Sequence, residues 1–103
     1  MQPIAVGSVA EALRRYAGRR VYVHVEFVRG GFVRNLAADV EEAVIRGEGP
    51  FRVALRCREA GWVVMEGLTH MESTAVEPLF LCALESDQRL AQVLQISPEP
   101  FAP

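Results

Sequence analysis

The sequence predicts a mainly β domain: one N-terminal helix followed by about six antiparallel strands in a barrel-like or strongly bent sheet. Three observations predict it. Only one early stretch, residues 7–18, carries a clear helical period. From Arg20 onward apolar residues recur at every second position in short runs. Breaks rich in Gly, Pro and Ser separate most of these runs by a few residues, which suits hairpins and is too short for crossover helices. With 103 residues, half of them hydrophobic, the chain can close one core, so 1–103 reads as a single domain.

Each element has its own signal. In residues 7–18, Val9, Leu13 and Tyr16 fall on one helical face, Ser8 and Glu11 have capping-box spacing, and Gly18 suits a left-handed stop. Arg14 and Arg15 favour the negative end of that helix. Val21, Val23, Val25 and Phe27 then alternate with Tyr22, His24 and Glu26, the pattern of a strand, and Gly30-Gly31 turns the chain. Residues 32–46 fit two patterns. Asn35 as cap with Leu36, Val40, Ala43 and Val44 makes an amphipathic helix; Phe32, Leu36, Ala38, Val40 and Val44 also share one strand face. Phe51, Val53, Leu55 and Cys57 alternate against Arg52, Ala54, Arg56 and Arg58, and Glu59-Ala60-Gly61 returns the chain into a strand from Trp62 to Glu66. Gly67 suits a bend or bulge. Further strands follow at Leu79–Leu84 and Leu90–Ile96, before an extended, proline-rich tail.

Composition excludes several functions. The net charge of −2 offers no global basic field for nucleic acid or anionic lipid. All eleven basic residues are arginine, so lysine Schiff-base, lysine general-base and Walker-A chemistry are closed. No run approaches the ~20 apolar residues that span a bilayer, and the Met-Gln-Pro-Ile start lacks the form of a signal peptide. These features predict a cytoplasmic protein whose Cys57 and Cys82 stay reduced and pack as small hydrophobes.

A family resemblance rests on Val21-Tyr22-Val23-His24-Val25-Glu26, Arg34-Asn35, Gly49-Pro50-Phe51-Arg52-Val53, Gly61-Trp62-Val63, Glu66-Gly67-Leu68-Thr69-His70 and Leu94-Gln95-Ile96-Ser97-Pro98-Glu99-Pro100-Phe101. Together these resemble the YojF-like family of small bacterial proteins, from the helix to the C-terminus. This chain is shorter than that pattern after Gly30-Gly31. The resemblance implies a mainly β, barrel-like fold and a strand at 32–46. It implies no activity, cofactor or site residue, only an accessory role by genomic association with a deacetylase of bacillithiol synthesis.

Candidate site residues come from three groups. His24 with Glu26, and His70 with Glu72, are two His-x-Glu pairs; brought together, His24 and His70 could hold a divalent metal with carboxylate help. Glu66, Thr69 and His70 could form an acid–base trio, with the bland alternative that Thr69 and His70 merely build a corner. Arg52, Arg56 and Arg58, with Arg34, form a basic stripe suited to carboxylate or phosphate, or to acidic neighbours at Asp39, Glu41 and Glu42. Trp62 reads equally as core or interface. The leading expectation is a non-enzymatic accessory or interaction module that forms a homodimer, through an unprotected sheet edge or by docking the Pro98–Pro103 tail, with Phe101, on a second subunit. The runner-up is a small-ligand or metal-binding domain, with possible hydrolysis, using His24, Glu26, Arg52, Glu66, Thr69 and His70.

Overall fold

The computed structural model describes residues 1–75 and 77–103. Its helix, α1 (Val6–Tyr16), seats Val9, Ala12, Leu13 and Tyr16 with no exposed surface, the stripe that the period dictates. The helix begins two residues before Ser8, with Ala5 as N-cap and no side-chain cap. The expected capping box therefore does not form: the Ala5 carbonyl already accepts from Val9 N–H, which puts Ser8 inside the first turn. Gly18 takes the left-handed conformation (φ 80°) just past the helix end.

Eight strands follow the order β1 (Gln2–Pro3), β6 (His70–Met71), β7 (Leu79–Leu84), β8 (Leu90–Ser97), β2 (Arg20–Phe27), β3 (Phe32–Arg46), β4 (Phe51–Cys57), β5 (Gly61–Leu68). Every pairing is antiparallel, and the sheet is strongly curved without closing into a barrel. Six of these strands match the sequence expectation. The two extra strands, β1 and β6, are two residues each and exist only because distant segments pair, Gln2 with Met71 and Pro3 with His70. The concave face gathers Val21, Val23, Val53, Leu55, Met65, Leu68, Leu79, Leu81, Leu94 and Ile96 against the helix in one core. Burying each of these aliphatic side chains contributes about 1.5–3 kcal/mol before entropy is counted.

Residues 32–46 are a strand throughout, and the helix alternative is wrong. At fifteen residues β3 is long because it serves two partners, pairing with β2 through Asp39 and with β4 from Val40. Two register breaks divide it. Val23 pairs with Leu36 and Val25 with Val33, so Arg34 and Asn35 together oppose His24. Val40 pairs with Cys57 and Glu42 with Arg56, which leaves Glu41 as the extra residue. Each bulge shifts the inward face by one residue. Phe32 is therefore two-thirds exposed, and Ile45 is buried where strict alternation would have put Val44.

Candidate functional site

The first β3 bulge builds the only extensive polar cluster that closes over a buried histidine among the described residues. Asn35 adopts a left-handed backbone (φ 59°), which asparagine tolerates better than most residues. The bulge sends both the Arg34 and Asn35 side chains to the convex face, where regular alternation would have sent one inward. There they meet the proline-rich tail. Asn35 holds the Phe101 backbone with two bonds: Phe101 N–H donates to Oδ1 at 2.7 Å and Nδ2 donates to the Phe101 carbonyl at 2.8 Å. Arg34 Nε donates to the Ala102 carbonyl, and its guanidinium lies 5.3 Å from the Phe101 ring centroid, within cation–π range.

His24 sits under this clasp, 5 % exposed. Its Nε2 lies 2.9 Å from Glu26 Oε1 and its Nδ1 3.4 Å from Arg34 Nη1. A carboxylate accepts and a guanidinium donates, so these partners assign the neutral tautomer with its proton on Nε2. The rings of Phe32 and Phe101 flank the imidazole, with centroids 6.1 and 6.2 Å away. Both ring nitrogens are occupied.

The other expected site residues lie elsewhere. His70 shares the convex face with His24, but β7 and β8 lie between their strands, a gap of three strand spacings or roughly 14 Å. The two His-x-Glu pairs do not converge, and no three of His, Cys, Asp and Glu gather as metal ligands among the described residues. Glu72 instead lies 3.7 Å from the N-terminal ammonium. Thr69 and His70 form the corner that the bland alternative described: Thr69 Oγ1 accepts from Leu84 N–H at 3.0 Å and lies 2.7 Å from His70 Nδ1. Gly67, at φ 75°, supplies the bend before it. Glu66 points to solvent, 3.7 Å from Arg52 Nε, and does not reach His70 in the bonding pattern. Cys57 and Cys82 are buried free thiols, and burial pushes both up from the usual thiol range, the opposite of an activated nucleophile.

The second bulge holds a different set. Arg20 grips Asp39 through two bonds of 2.9 and 3.0 Å, and Arg56 reaches Glu41 at 3.0 Å and Glu42 at 3.5 Å. The acidic-neighbour reading of the basic stripe thus holds for Arg56. Hydrogen bonding from Arg20, reinforced by the charges of Arg20 and Arg58, holds the Asp39 carboxyl below its usual range. Sequence reasoning missed Asn35, Arg19 and Arg20 as site residues, and the tail with Phe101, expected on a second subunit, instead folds back onto Arg34 and Asn35 of its own chain. Arg34-Asn35 and Phe101 were nevertheless among the residues carrying the family resemblance, the one available sign that they act together.

The fold and this clasp define a curved β domain of no assigned chemistry, and comparison places it in a family. Residues 3–101 match the family described as protein of unknown function (DUF1806), and the chain belongs to that family. It is 34 % identical over 115 residues to "Uncharacterized protein YojF" of Bacillus subtilis (strain 168), covering 98 % of each chain. Among solved structures it is similar to the crystal structure of the Bacillus subtilis YojF protein, with TM-score 0.87 and 35 % identity over 99 % of this chain and 97 % of that one. The YojF-like resemblance is thereby established, and the strand assignment at 32–46 that it implied agrees with the observed β3.

Proposed function

We propose that this protein is a non-enzymatic interaction module that pairs with a second copy of itself through β5. The observation that carries this reading is the state of the two sheet edges. One edge, β1, is two residues long and offers almost nothing to pair with. The other, β5, is eight residues long and has no strand paired on its outer side among the described residues. Gln92 Nε2 donates to the Glu66 carbonyl, which leaves Gly61–Met65 as the free length of edge.

That free length is symmetric about Val63. Antiparallel self-pairing there sets Trp62 of one copy opposite Val64 of the other, twice, on the convex face. These side chains are 55 % and 39 % exposed, large for a tryptophan and a valine in a strand. Aromatic–β-branched pairs across strands contribute about 0.2–1 kcal/mol each, beyond the ladder itself. A bare edge of this kind pairs with another unless charge, proline or a bulge blocks it.

The same reading places the protein in the cytoplasm, supported by two unpaired thiols and by the lack of any described helix long and apolar enough to cross a membrane. An accessory link to bacillithiol metabolism is supported by the family resemblance alone. Sedimentation equilibrium from micromolar to millimolar protein tests the self-pairing. The wild-type chain is expected to dimerise and Val64→Lys to remain monomeric with an unchanged fold. A wild-type monomer across the range, or an equally tight Val64→Lys dimer, would contradict the reading.

A further inference from the structure

The second β3 bulge opens onto a groove of about 630 Å³ lined by four arginines, Arg19, Arg20, Arg56 and Arg58. Two carboxylates, Asp39 and Glu41, line the same groove. With Glu42 reaching Arg56 from beside the groove, four positive charges against three negative leave this locus basic in a chain whose net charge is −2. The excess is not spread evenly. Arg20 and Arg56 are held by Asp39, Glu41 and Glu42, whereas Arg19 and Arg58 have no carboxylate within 4.0 Å among the described residues. Among the described residues Arg19 Nη1 rests only on the Arg15 carbonyl, at 3.4 Å.

The backbone beneath is held by hydrogen bonds. Gly18 N–H donates to the Val40 carbonyl at 2.8 Å, Val40 N–H to the Arg19 carbonyl at 3.0 Å, and Arg58 N–H to the Asp39 carbonyl at 2.8 Å. These three bonds tie the helix exit, the start of β2, the middle of β3 and the turn after β4 into one corner. All four arginines spring from that corner, so binding need not order the backbone that carries them. Two guanidinium groups fixed by carboxylates, beside two left free, form a graded cationic wall.

We propose that this groove binds a small molecule bearing two or more oxyanion groups, phosphate or carboxylate, with Arg19 and Arg58 as its principal contacts. Guanidinium forks match the planar oxygen pairs of both groups, and no lysine in the chain competes for that role. The open form of the groove admits a ligand from solvent without movement of the sheet. This inference is independent of self-pairing at β5.

Isothermal titration at low salt with inorganic pyrophosphate, and separately with citrate, tests it and distinguishes phosphate from carboxylate. Binding of either probe at one site is expected, weakened at least tenfold in Arg19→Gln and in Arg58→Gln. Arg89→Gln, which alters an exposed arginine outside the groove, is expected to leave affinity unchanged, and Asp39→Asn to tighten it by removing the competing carboxylate. Both arginines are exposed, so melting curves should show all variants folded. No saturable binding of either probe, or equal weakening by Arg89→Gln, would overturn the proposal.

Discussion

The two bulges of β3 use the same backbone device for opposite ends. At Arg34–Asn35 the extra residue turns two polar side chains outward, and the protein's own tail fills the space over them. At Glu41 the extra residue joins a wall of arginines, and the space over it stays open. One bulge completes the fold; the other leaves a chemical surface unspent. The difference lies in what the partner offers: the tail brings carbonyls, an amide and an aromatic ring, which satisfy Asn35 and Arg34 in place. Among the described residues Arg19 meets only the Arg15 carbonyl, and Arg58 has no carboxylate within 4.0 Å.

If this contrast is right, substitutions at the closed bulge act on stability and those at the open one hardly do. Asn35→Ala should show the largest effect, about 2–3 kcal/mol, from two lost backbone bonds and the strain of alanine at positive φ. Denaturant melts check this, and a loss below about 0.5 kcal/mol would place the tail's anchor elsewhere.

The open bulge has a buried anchor of its own. Tyr16, fully buried, accepts Arg19 N–H through its carbonyl, while its hydroxyl lies near Glu77 Oε1 and the Ile96 carbonyl. Burial, then the negative charge of Glu77, pushes its phenol from 10.0 up to about 12. The phenol thus ionises first in the unfolded chain, which binds fewer protons than the folded one above pH 10. Stability should fall by roughly 2 kcal/mol between pH 10 and 12 and level off beyond. Tyr16→Phe should lack that alkaline component, measured as Tm against pH; an identical alkaline slope in the variant would contradict it.

Smaller effects sharpen the comparison. Phe101→Ala should cost about 1–2 kcal/mol, since the ring is half-buried against His24 and under Arg34. Glu41→Gln, at the open bulge, should change stability by less than about 0.5 kcal/mol, because exposed ion pairs contribute little. A larger loss from Glu41→Gln than from Phe101→Ala in thermal unfolding would reverse the assignment of roles.

Much of this fold was legible because alternation is local. Val21, Val23 and Val25 face inward for the same reason that Val53, Leu55 and Cys57 do, and the Val9–Leu13–Tyr16 stripe announced its helix. The bulges were not legible: one extra residue reverses the parity of everything after it, and only the partner strand reveals it. Val44 and Ile45 are both apolar, so either register satisfied the sequence. Asn35 signals a helix cap and a left-handed bulge equally well. The His24–Glu26 contact followed from strand spacing, whereas the distance from His24 to His70 depends on strand order, which no local pattern encodes. The tail's proline content foretold an extended chain but not its destination at Asn35.

The most direct test of the contrast is an amide NMR titration of the wild-type protein with inorganic pyrophosphate. Saturable shifts confined to residues 18–20, 39–41 and 56–58 are expected, with the amides of His24, Asn35 and Phe101 unmoved. Shifts centred on the tail clasp, or none at the arginine groove while the closed bulge responds, would show that the two bulges have been assigned the wrong way round.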